Sequence, residues 1–273
     1  MRNIYQNKKG HISLTQGSIL TNCITELLPT INVWGCVITP RCDICNKKVS
    51  TVHYLPIVTI EDWIINFLRP RLYDNWKNDL VNKINNAINN ANGGRNVLSL
   101  GLQKEDLEKI VHKYIIKPKQ LESILKDVNS YFTEDNDSFY NDYILNENKY
   151  KQDIERLVKG EMQDYYLIED WDQDNTYKVI LLRDIRRISI QYAIAFEKGF
   201  FYDSYSTEIL RQNDLKYKEE DALYYIAAEI NSPYIEHIMQ AFSYNFLRIG
   251  VCNMHFNVQQ SLIDIIKHTL KTI

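Results

Sequence analysis

The sequence lacks the features that would place it in a simple class. Its formal net charge is only −3 and its pI is about 6.1, without the strong basic excess of a dedicated duplex-binding protein. Its apolar runs are all shorter than the roughly 20 residues that a membrane-spanning helix needs. The N-terminus is polar and basic, without the apolar core of a signal peptide. We therefore expect no membrane association.

Cysteine is scarce, and complete catalytic motifs are missing. Five cysteines form an odd set in a chain of 273 residues, so a disulfide framework is not expected and the predicted location is cytoplasmic. The sequence contains no P-loop, no G-x-G-x-x-G, no H-E-x-x-H and no G-x-S-x-G. Whether the chain is an enzyme therefore stays undecided from the sequence.

The apolar patterns that are present predict an α+β fold. Short strands are predicted near both ends of the chain, over residues 11–20, 32–39, 49–58, 165–170, 177–182 and 222–230. Between them, apolar residues at helical spacing predict a helical insert over about residues 61–160. No Gly-, Ser- or Pro-rich linker separates these parts. We therefore predict a single domain over residues 1–273, in which both ends build one small curved β-sheet or partial barrel.

The residue spacing that most specifically predicts a metal-binding site lies near the N-terminus. Cys42 and Cys45 form a C-x-x-C pair, whose spacing lets two thiolates bind one tetrahedral metal ion. His53 would supply a third ligand, and Cys36 is favoured over Cys23 as the fourth because it is nearer in sequence. A metal ion would also stabilise a short β-rich segment that has little core of its own. The predicted ligands of a structural zinc ion are therefore Cys36, Cys42, Cys45 and His53.

Other interpretations of these cysteines stay open. Free cysteine is among the most buried residue types, so ordinary reduced cysteines beside strands would give the same pattern. A thioredoxin-like redox pair is less favoured, because such pairs begin a helix after a strand, whereas strand-like residues follow Cys45. Cys252 and His255 would complete the metal site only if the C-terminal end packs against the N-terminal strands.

A cluster of acidic residues surrounds Trp171 in a predicted hairpin turn. These residues are Glu169, Asp170, Asp172 and Asp174. Clustered carboxylates bind Mg²⁺ or Mn²⁺ in many nucleases, and Lys178 follows on the next predicted strand, so a metal-dependent nuclease or hydrolase is one alternative. A solvated turn is the simpler interpretation. His237 would be the general base of such an enzyme, although packing is the simpler role for it.

The densest basic cluster is formed by Arg183, Arg186 and Arg187. Arginines bind phosphate groups well, so a second alternative is a nucleic-acid-binding regulator that uses these three side chains. Asp184 lies within the same run, and pairing with this carboxylate is the simpler interpretation.

Two segments at opposite ends of the chain resemble a group of uncharacterised bacterial proteins. Residues 16–20 read QGSIL and residues 37–44 read VITPRCDI, which is similar to the "QGDI…VLTxxCDL" opening of those proteins. Residues 232–237 read SPYIEH and residues 246–251 read FLRIGV, which is similar to their "SPYxEH…FxRxG" ending. The resemblance is confined to the two ends of the chain, and it carries over no catalytic residue.

The resemblance implies a bacterial setting, because such genes tend to lie in mobile or phage-defence neighbourhoods beside other components. Together with an aromatic content of 12%, it predicts an accessory or effector-associated component of an anti-phage defence complex. Such a component would act through protein–protein contacts, so a protein partner is expected. The resemblance also implies that Cys42 and Asp43 act together in the turn. In this structural interpretation, the Asp43 side chain accepts hydrogen bonds from backbone N–H groups.

Overall fold

A computed structural model describes residue 5 and residues 13–92, 101–172, 176–201 and 222–247 of the chain. The strands in these residues are β1 (Ser18–Cys23), β2 (Val33–Val37), β3 (Thr51–Thr59), β4 (Tyr165–Glu169), β5 (Tyr177–Leu181), β6 (Arg186–Ser189), β7 (Phe200–Phe201), β8 (Leu223–Tyr224) and β9 (Ile226–Glu229). The α-helices are α1 (Arg41–Cys45), α2 (Ile60–Trp63), α3 (Arg69–Asn92), α4 (Lys104–Tyr114), α5 (Pro118–Thr133), α6 (Asn136–Phe139), α7 (Lys151–Val158), α8 (Ile190–Ala195) and α9 (Tyr234–Leu247). Ile64–Leu68 and Tyr140–Ile144 are π-helical, and Glu147–Lys149 is a 3₁₀ turn.

Both ends of the chain contribute strands to one antiparallel sheet. The strand order is β4-β5-β3-β2-β1-β9, and β6 pairs with the first half of β3. The strands β1 to β3 precede the helical insert, whereas β4 to β6 and β9 follow it. The sheet curls into a half-barrel. The predicted α+β fold, with a curved sheet built from both ends and a helical insert, is confirmed.

The central strand, β3, is buried on both faces of the sheet. It pairs with β2 along one edge, and with β6 and then β5 along the other. Tyr54 and Val58 belong to one hydrophobic cluster, whereas Leu55 and Ile57 belong to a second cluster. A strand that is buried on both faces carries a continuous apolar run instead of a strict alternation.

The helical insert begins directly after β3. Thr59 caps α2 by accepting a hydrogen bond from the backbone N–H of Asp62. The chain then continues through the π-helical turn Ile64–Leu68 into α3. Pro70 has no N–H to donate to residue 66, and the wider π-helical turn lies where this hydrogen bond is missing. The sequence predicts that Pro70 kinks or restarts the helix, and α3 begins at the preceding residue, Arg69.

The sequence predicts one polar helix over residues 137–159 and a last helix over residues 258–270, and it is ambiguous between helix and strand over residues 185–196. The polar segment over residues 137–159 is divided into α6, a π-helical turn, a 3₁₀ turn and α7, instead of forming one helix. Asn146 lies at the break before the 3₁₀ turn, and asparagine side chains compete with the helix for backbone hydrogen bonds. Residues 185–196, which are ambiguous in the sequence, form β6 followed by α8. The predicted helix over residues 258–270 lies outside the described residues.

Three hydrophobic clusters organise the described residues. The first lies between one face of the sheet and the insert, and it contains Trp63, Trp76 and Phe139 beside Val58 and Val179. The second covers the other face of the sheet, where Ile235 and Ile238 of α9 pack. The third joins the far half of α3 to α4 and α5. Among the helices described, none combines the length and apolar character needed to span a bilayer.

Candidate functional site

The four predicted zinc ligands lie in different environments. Cys36 is fully buried in the cluster on the second face of the sheet, with Ile19 and Ile57. Cys42 and Cys45 are exposed on α1, whose Ile44 packs into the cluster on the opposite face. In the described part of the chain, no group of three or more His, Cys, Asp and Glu side chains is placed to hold a metal ion.

The zinc prediction therefore receives no support from a ligand cluster, and it stays a prediction that only metal analysis tests. The structure also changes the context of the C-x-x-C pair. Cys42 and Cys45 lie on a helix that begins at Arg41, shortly after β2. The strand-like sequence that argued against a redox pair begins only at Thr51. Cys252 and His255 lie outside the described residues.

The burial of the cysteines predicts two classes of thiol reactivity. Burial raises the pKa of Cys36 to about 12, and burial also raises the pKa of Cys23, so both thiols stay protonated at neutral pH. We expect N-ethylmaleimide to modify Cys42 and Cys45 in the reduced, chelator-treated protein within minutes. Cys23 and Cys36 should react only after denaturation, which peptide mass mapping measures. Modification of native Cys36 as fast as Cys42 would contradict this burial.

The acidic turn between β4 and β5 contains a buried ion pair. The side chains of Lys178 and Asp170 are 6% and 7% exposed, and the ammonium group contacts the carboxylate. The Lys178 Nζ also lies 4.5 Å from the ring centroid of Trp34 and 4.5 Å from that of Trp171. The two indole rings are almost perpendicular, with centroids 5.4 Å apart. We call Trp34, Asp170, Trp171 and Lys178 the lysine cage.

The carboxylate of the lysine cage is fully engaged within the chain. Asp170 accepts hydrogen bonds from the Thr176 hydroxyl at 3.1 Å and from the Asp172 backbone N–H at 3.0 Å. Burial opposes ionisation of Asp170, but these hydrogen bonds and Lys178 outweigh it and lower its pKa. The pKa of Asp172 is raised by burial and by the charge of Asp170. The nuclease alternative would need Asp170 to bind metal ions, and it stays a prediction. Asp174 lies outside the described residues.

Tyr5 connects the two edges of the half-barrel beside the lysine cage. Its backbone forms a β-bridge with Ile230, next to edge strand β9. Its hydroxyl donates a hydrogen bond to the Glu169 carbonyl of the opposite edge strand, β4. The Tyr5 ring meets Trp171 edge to face, with centroids 6.0 Å apart. The N-terminal Tyr5 therefore fixes the acidic turn relative to the far edge of the sheet.

The predicted basic cluster is largely paired within the chain. Arg186 forms ion pairs with Asp184 at 2.6 Å and with Glu26 at 2.6 Å, and its side chain is mostly buried. Asp184 also accepts a hydrogen bond from the Thr25 hydroxyl, so it links this arginine to the loop after β1. Arg183 pairs with Asp164 at 2.5 Å. The simpler interpretation, pairing with Asp184, holds for Arg186, whereas Arg183 pairs with Asp164 instead. Nucleic-acid binding through Arg183, Arg186 and Arg187 stays a prediction.

His237 has a tyrosine as its neighbour. Its Nδ1 lies 2.6 Å from the hydroxyl oxygen of Tyr166 on β4, and the two rings meet edge to face. This contact ties α9 to the sheet. The geometry agrees with a packing and hydrogen-bonding role for His237.

Gly17 and Arg41, from the N-terminal segment of the predicted resemblance, contact β9 and the residue after it, shortly before the C-terminal segment begins at Ser232. Gly17 donates its backbone N–H to the Val37 carbonyl at 2.8 Å and accepts from the Ile230 N–H at 3.0 Å. A Cβ on Gly17 would lie 3.0 Å from the Ile230 carbonyl oxygen, and its φ of +90° also favours glycine. Arg41 donates to the Thr15 hydroxyl at 3.0 Å and pairs with buried Glu229 at 3.6 Å. These contacts give the resembling residues a structural role.

An open groove with a volume of about 250 Å³ lies on the helical insert. Ile65, Pro70 and Tyr73 form its apolar lining, and Arg69, Glu134 and Asn136 form its polar lining. Ile65 is 58% exposed, and Tyr140, which follows Asn136 by one helical turn, is 52% exposed. The Tyr73 hydroxyl is buried, and none of the described residues supplies it with a hydrogen bond. We call the six lining residues the insert groove.

Sequence analysis missed both the lysine cage and the insert groove. One signal for the cage was available, because Lys178 alternates with Ile180 and Leu182 on a predicted strand and therefore points into an apolar face. A buried lysine requires a buried partner. No comparable signal identifies Trp34 as part of the cage or Glu134 as part of the groove, because both positions depend on tertiary packing.

Comparison of the chain with models of known protein families, with curated proteins and with solved structures finds no match. The function of the chain is therefore inferred from the geometry of its own surface.

Proposed function

We propose that this chain is an accessory component of a bacterial anti-phage defence complex, which binds a partner protein through the insert groove in the cytoplasm. The single observation that carries the binding role is the insert groove, where exposed apolar side chains surround a buried hydroxyl without a hydrogen-bond partner among the described residues. The defence setting rests on the resemblance of the two chain ends to bacterial proteins of such neighbourhoods.

The apolar lining favours a protein partner over solvent. Ile65 and Tyr140 expose large apolar side chains on neighbouring helical segments, and such surfaces with a polar rim mark protein interaction sites. Tyrosine is enriched among residues that dominate binding energy, particularly where its ring is packed and its hydroxyl finds a partner. The ring of Tyr73 is held by Phe139 and Trp76, at centroid distances of 5.2 Å and 5.4 Å. The Tyr73 side of the groove is therefore supported by packed aromatic rings.

The protonation state of the Tyr73 hydroxyl determines which hydrogen-bonding group the partner must supply. Burial raises its pKa, and the carboxylates of Glu134 and Asp74 raise it further, so the hydroxyl stays protonated at neutral pH. A buried hydroxyl without a partner costs free energy, which an incoming acceptor would recover. The expected partner inserts an apolar side chain between Ile65 and Pro70 and places a neutral carbonyl oxygen on Tyr73, because Glu134 and Asp74 would repel a carboxylate.

Site-specific photo-crosslinking in the native host tests this proposal. A photoreactive amino acid at Ile65 should crosslink one defined protein, which mass spectrometry identifies. Ile116 provides a matched control, because it is an exposed isoleucine of the same insert, 90% exposed and outside the groove. The Ile65→Asp variant should lose co-purification of that protein, and Tyr73→Phe should weaken binding by about 0.5–1.5 kcal/mol. Equal crosslinking at Ile65 and Ile116, or unchanged co-purification of Ile65→Asp, would refute the groove as the binding site.

A further inference from the structure

Two exposed thiols lie on one turn of α1. Cys42 and Cys45 occupy positions i and i+3 of this five-residue helix, and both side chains are exposed. Ile44 anchors the helix in the hydrophobic cluster below it, and the Asn46 side chain donates to the Cys42 carbonyl at 2.7 Å. The other described cysteines, Cys23 and Cys36, are buried. Cys42 and Cys45 are therefore the thiols among the described cysteines that a dissolved reagent reaches.

The spacing of the two cysteines suits an intramolecular disulfide. Residues at positions i and i+3 of a helix have Cβ atoms about 5–6 Å apart. A disulfide needs Cβ atoms about 3.5–4.5 Å apart, so the two side chains must approach by about 1–2 Å. The helix α1 ends after Cys45, where the backbone turns at Asn46 and Lys47. The local backbone hydrogen bonds from Asn46 to Cys42 and from Lys47 to Ile44, each 3.1 Å long, would have to adjust to this displacement.

The local charge favours an anionic reactant. Residues 41–48 contain three cations, Arg41, Lys47 and Lys48, and one anion, Asp43. Because Arg41 forms an ion pair with Glu229, Lys47 and Lys48 against Asp43 leave a net charge of +1 at this surface. Lys47 and Lys48 are exposed, and no ion pair involves either of them in the part of the chain that the structure describes. A positive surface raises the local concentration of an anionic reactant. Oxidised glutathione carries several carboxylates, and its negative charge complements the positive charge of this surface.

We propose that Cys42 and Cys45 form a redox-active dithiol that exchanges with anionic low-molecular-weight disulfides of the glutathione disulfide class. The Cys42 thiol loses its proton, its thiolate attacks one sulfur of the disulfide, a Cys42–glutathione bond forms, and one glutathione thiolate leaves and is protonated. The deprotonated Cys45 then attacks the Cys42 sulfur, the Cys42–Cys45 bond forms, and the second glutathione thiolate leaves and is protonated. Two protein thiols are oxidised, and one glutathione disulfide is reduced to two glutathione molecules.

Redox titration of the full chain tests this proposal. Cys252, which lies outside the described residues, is replaced by Ser in every sample so that it does not contribute. The protein is equilibrated with mixtures of reduced and oxidised glutathione, quenched with acid and alkylated. Mass spectrometry should find a Cys42–Cys45 disulfide that increases with oxidised glutathione and disappears with dithiothreitol. The Cys45→Ser variant should instead accumulate the Cys42–glutathione mixed disulfide. The Cys45→Ser variant alters an exposed side chain, so circular dichroism should show the same folding with and without this replacement.

Two further measurements make the test decisive. At low salt, glutathione disulfide should oxidise the pair faster than cystamine, a cationic disulfide, and high salt should remove this difference. Equal rates with both reagents at low salt would overturn the preference for an anionic disulfide. The dithiol itself is refuted if the Cys252→Ser protein, with Cys42 and Cys45 both present, forms no Cys42–Cys45 disulfide at any glutathione ratio. It is also refuted if one bound zinc ion protects both thiols from oxidation.

Discussion

Replacing Asp170 with Asn is expected to lower the free energy of unfolding by about 3–5 kcal/mol, because it leaves the Lys178 ammonium buried without its counter-ion. The two indole rings of the lysine cage attract the cation, and a desolvated cation–π contact contributes about 2 kcal/mol, but the rings carry no negative charge and do not replace the carboxylate. Urea unfolding followed by circular dichroism measures the effect. A joint replacement, Asp170→Leu with Lys178→Met, should recover most of the loss because no charge stays buried.

The control for this prediction is an exposed ion pair of the same chain. Lys109 and Asp106 lie 3.1 Å apart on α4, with side chains 75% and 55% exposed. Replacing Asp106 with Asn should change the free energy of unfolding by less than about 0.5 kcal/mol, because solvent screens such a pair. If Asp170→Asn and Asp106→Asn have equally small effects, Lys178 is not buried in solution as the structure places it.

Replacing Trp76 with Ala is expected to destabilise the whole chain by about 3–5 kcal/mol. Trp76 is only 1% exposed, and it belongs to the hydrophobic cluster that contains both insert residues and residues of the sheet. Removing its indole leaves a cavity between α3 and the segment that carries Phe139. If residues 1–273 form a single domain, as the sequence predicts, sheet and insert lose stability together in one transition.

Leu107 provides the comparison for this prediction. It is fully buried in the third cluster, which joins the far half of α3 to α4 and α5 without strands of the sheet. Leu107→Ala should cost about 2–5 kcal/mol, and in a single domain it should shift the same transition as Trp76→Ala. Chemical denaturation followed by circular dichroism and by tryptophan fluorescence distinguishes the outcomes. Separate transitions, with Leu107→Ala shifting only the helical one, would show that the far end of the insert unfolds independently.

The buried cage and the insert groove have different consequences for function. In the lysine cage the charged groups of Lys178 and Asp170 pair with each other, so the cage stabilises the acidic turn between β4 and β5. The insert groove leaves Ile65 exposed and the Tyr73 hydroxyl without a partner among the described residues, so it is the surface that binding would complete. This contrast is the physical reason for assigning the proposed interaction to the insert instead of the acidic turn.

The sequence by itself determined the elements whose signals are local. The hairpin of β4 and β5, the strand at β3 and the helical character of the insert follow from apolar periodicity. The convergence of both chain ends on one sheet also followed from the pattern of strands around a helical insert. Each of these features depends on residues within one helix or strand, or on the order of elements along the chain.

Only the tertiary structure decided which distant side chains meet. Trp34 and Lys178 are far apart in sequence, and their contact depends on β2, β3 and β5 being neighbours in one sheet. Cys36 lies close to Cys42 in sequence, yet strand alternation directs it into the core while Cys42 is exposed on α1. Arg186 belongs to a basic run in the sequence but is paired with Asp184 and Glu26 in the fold. Sequence spacing predicts which residues are close along one element, whereas the burial and charge partner of a side chain depend on how the elements pack.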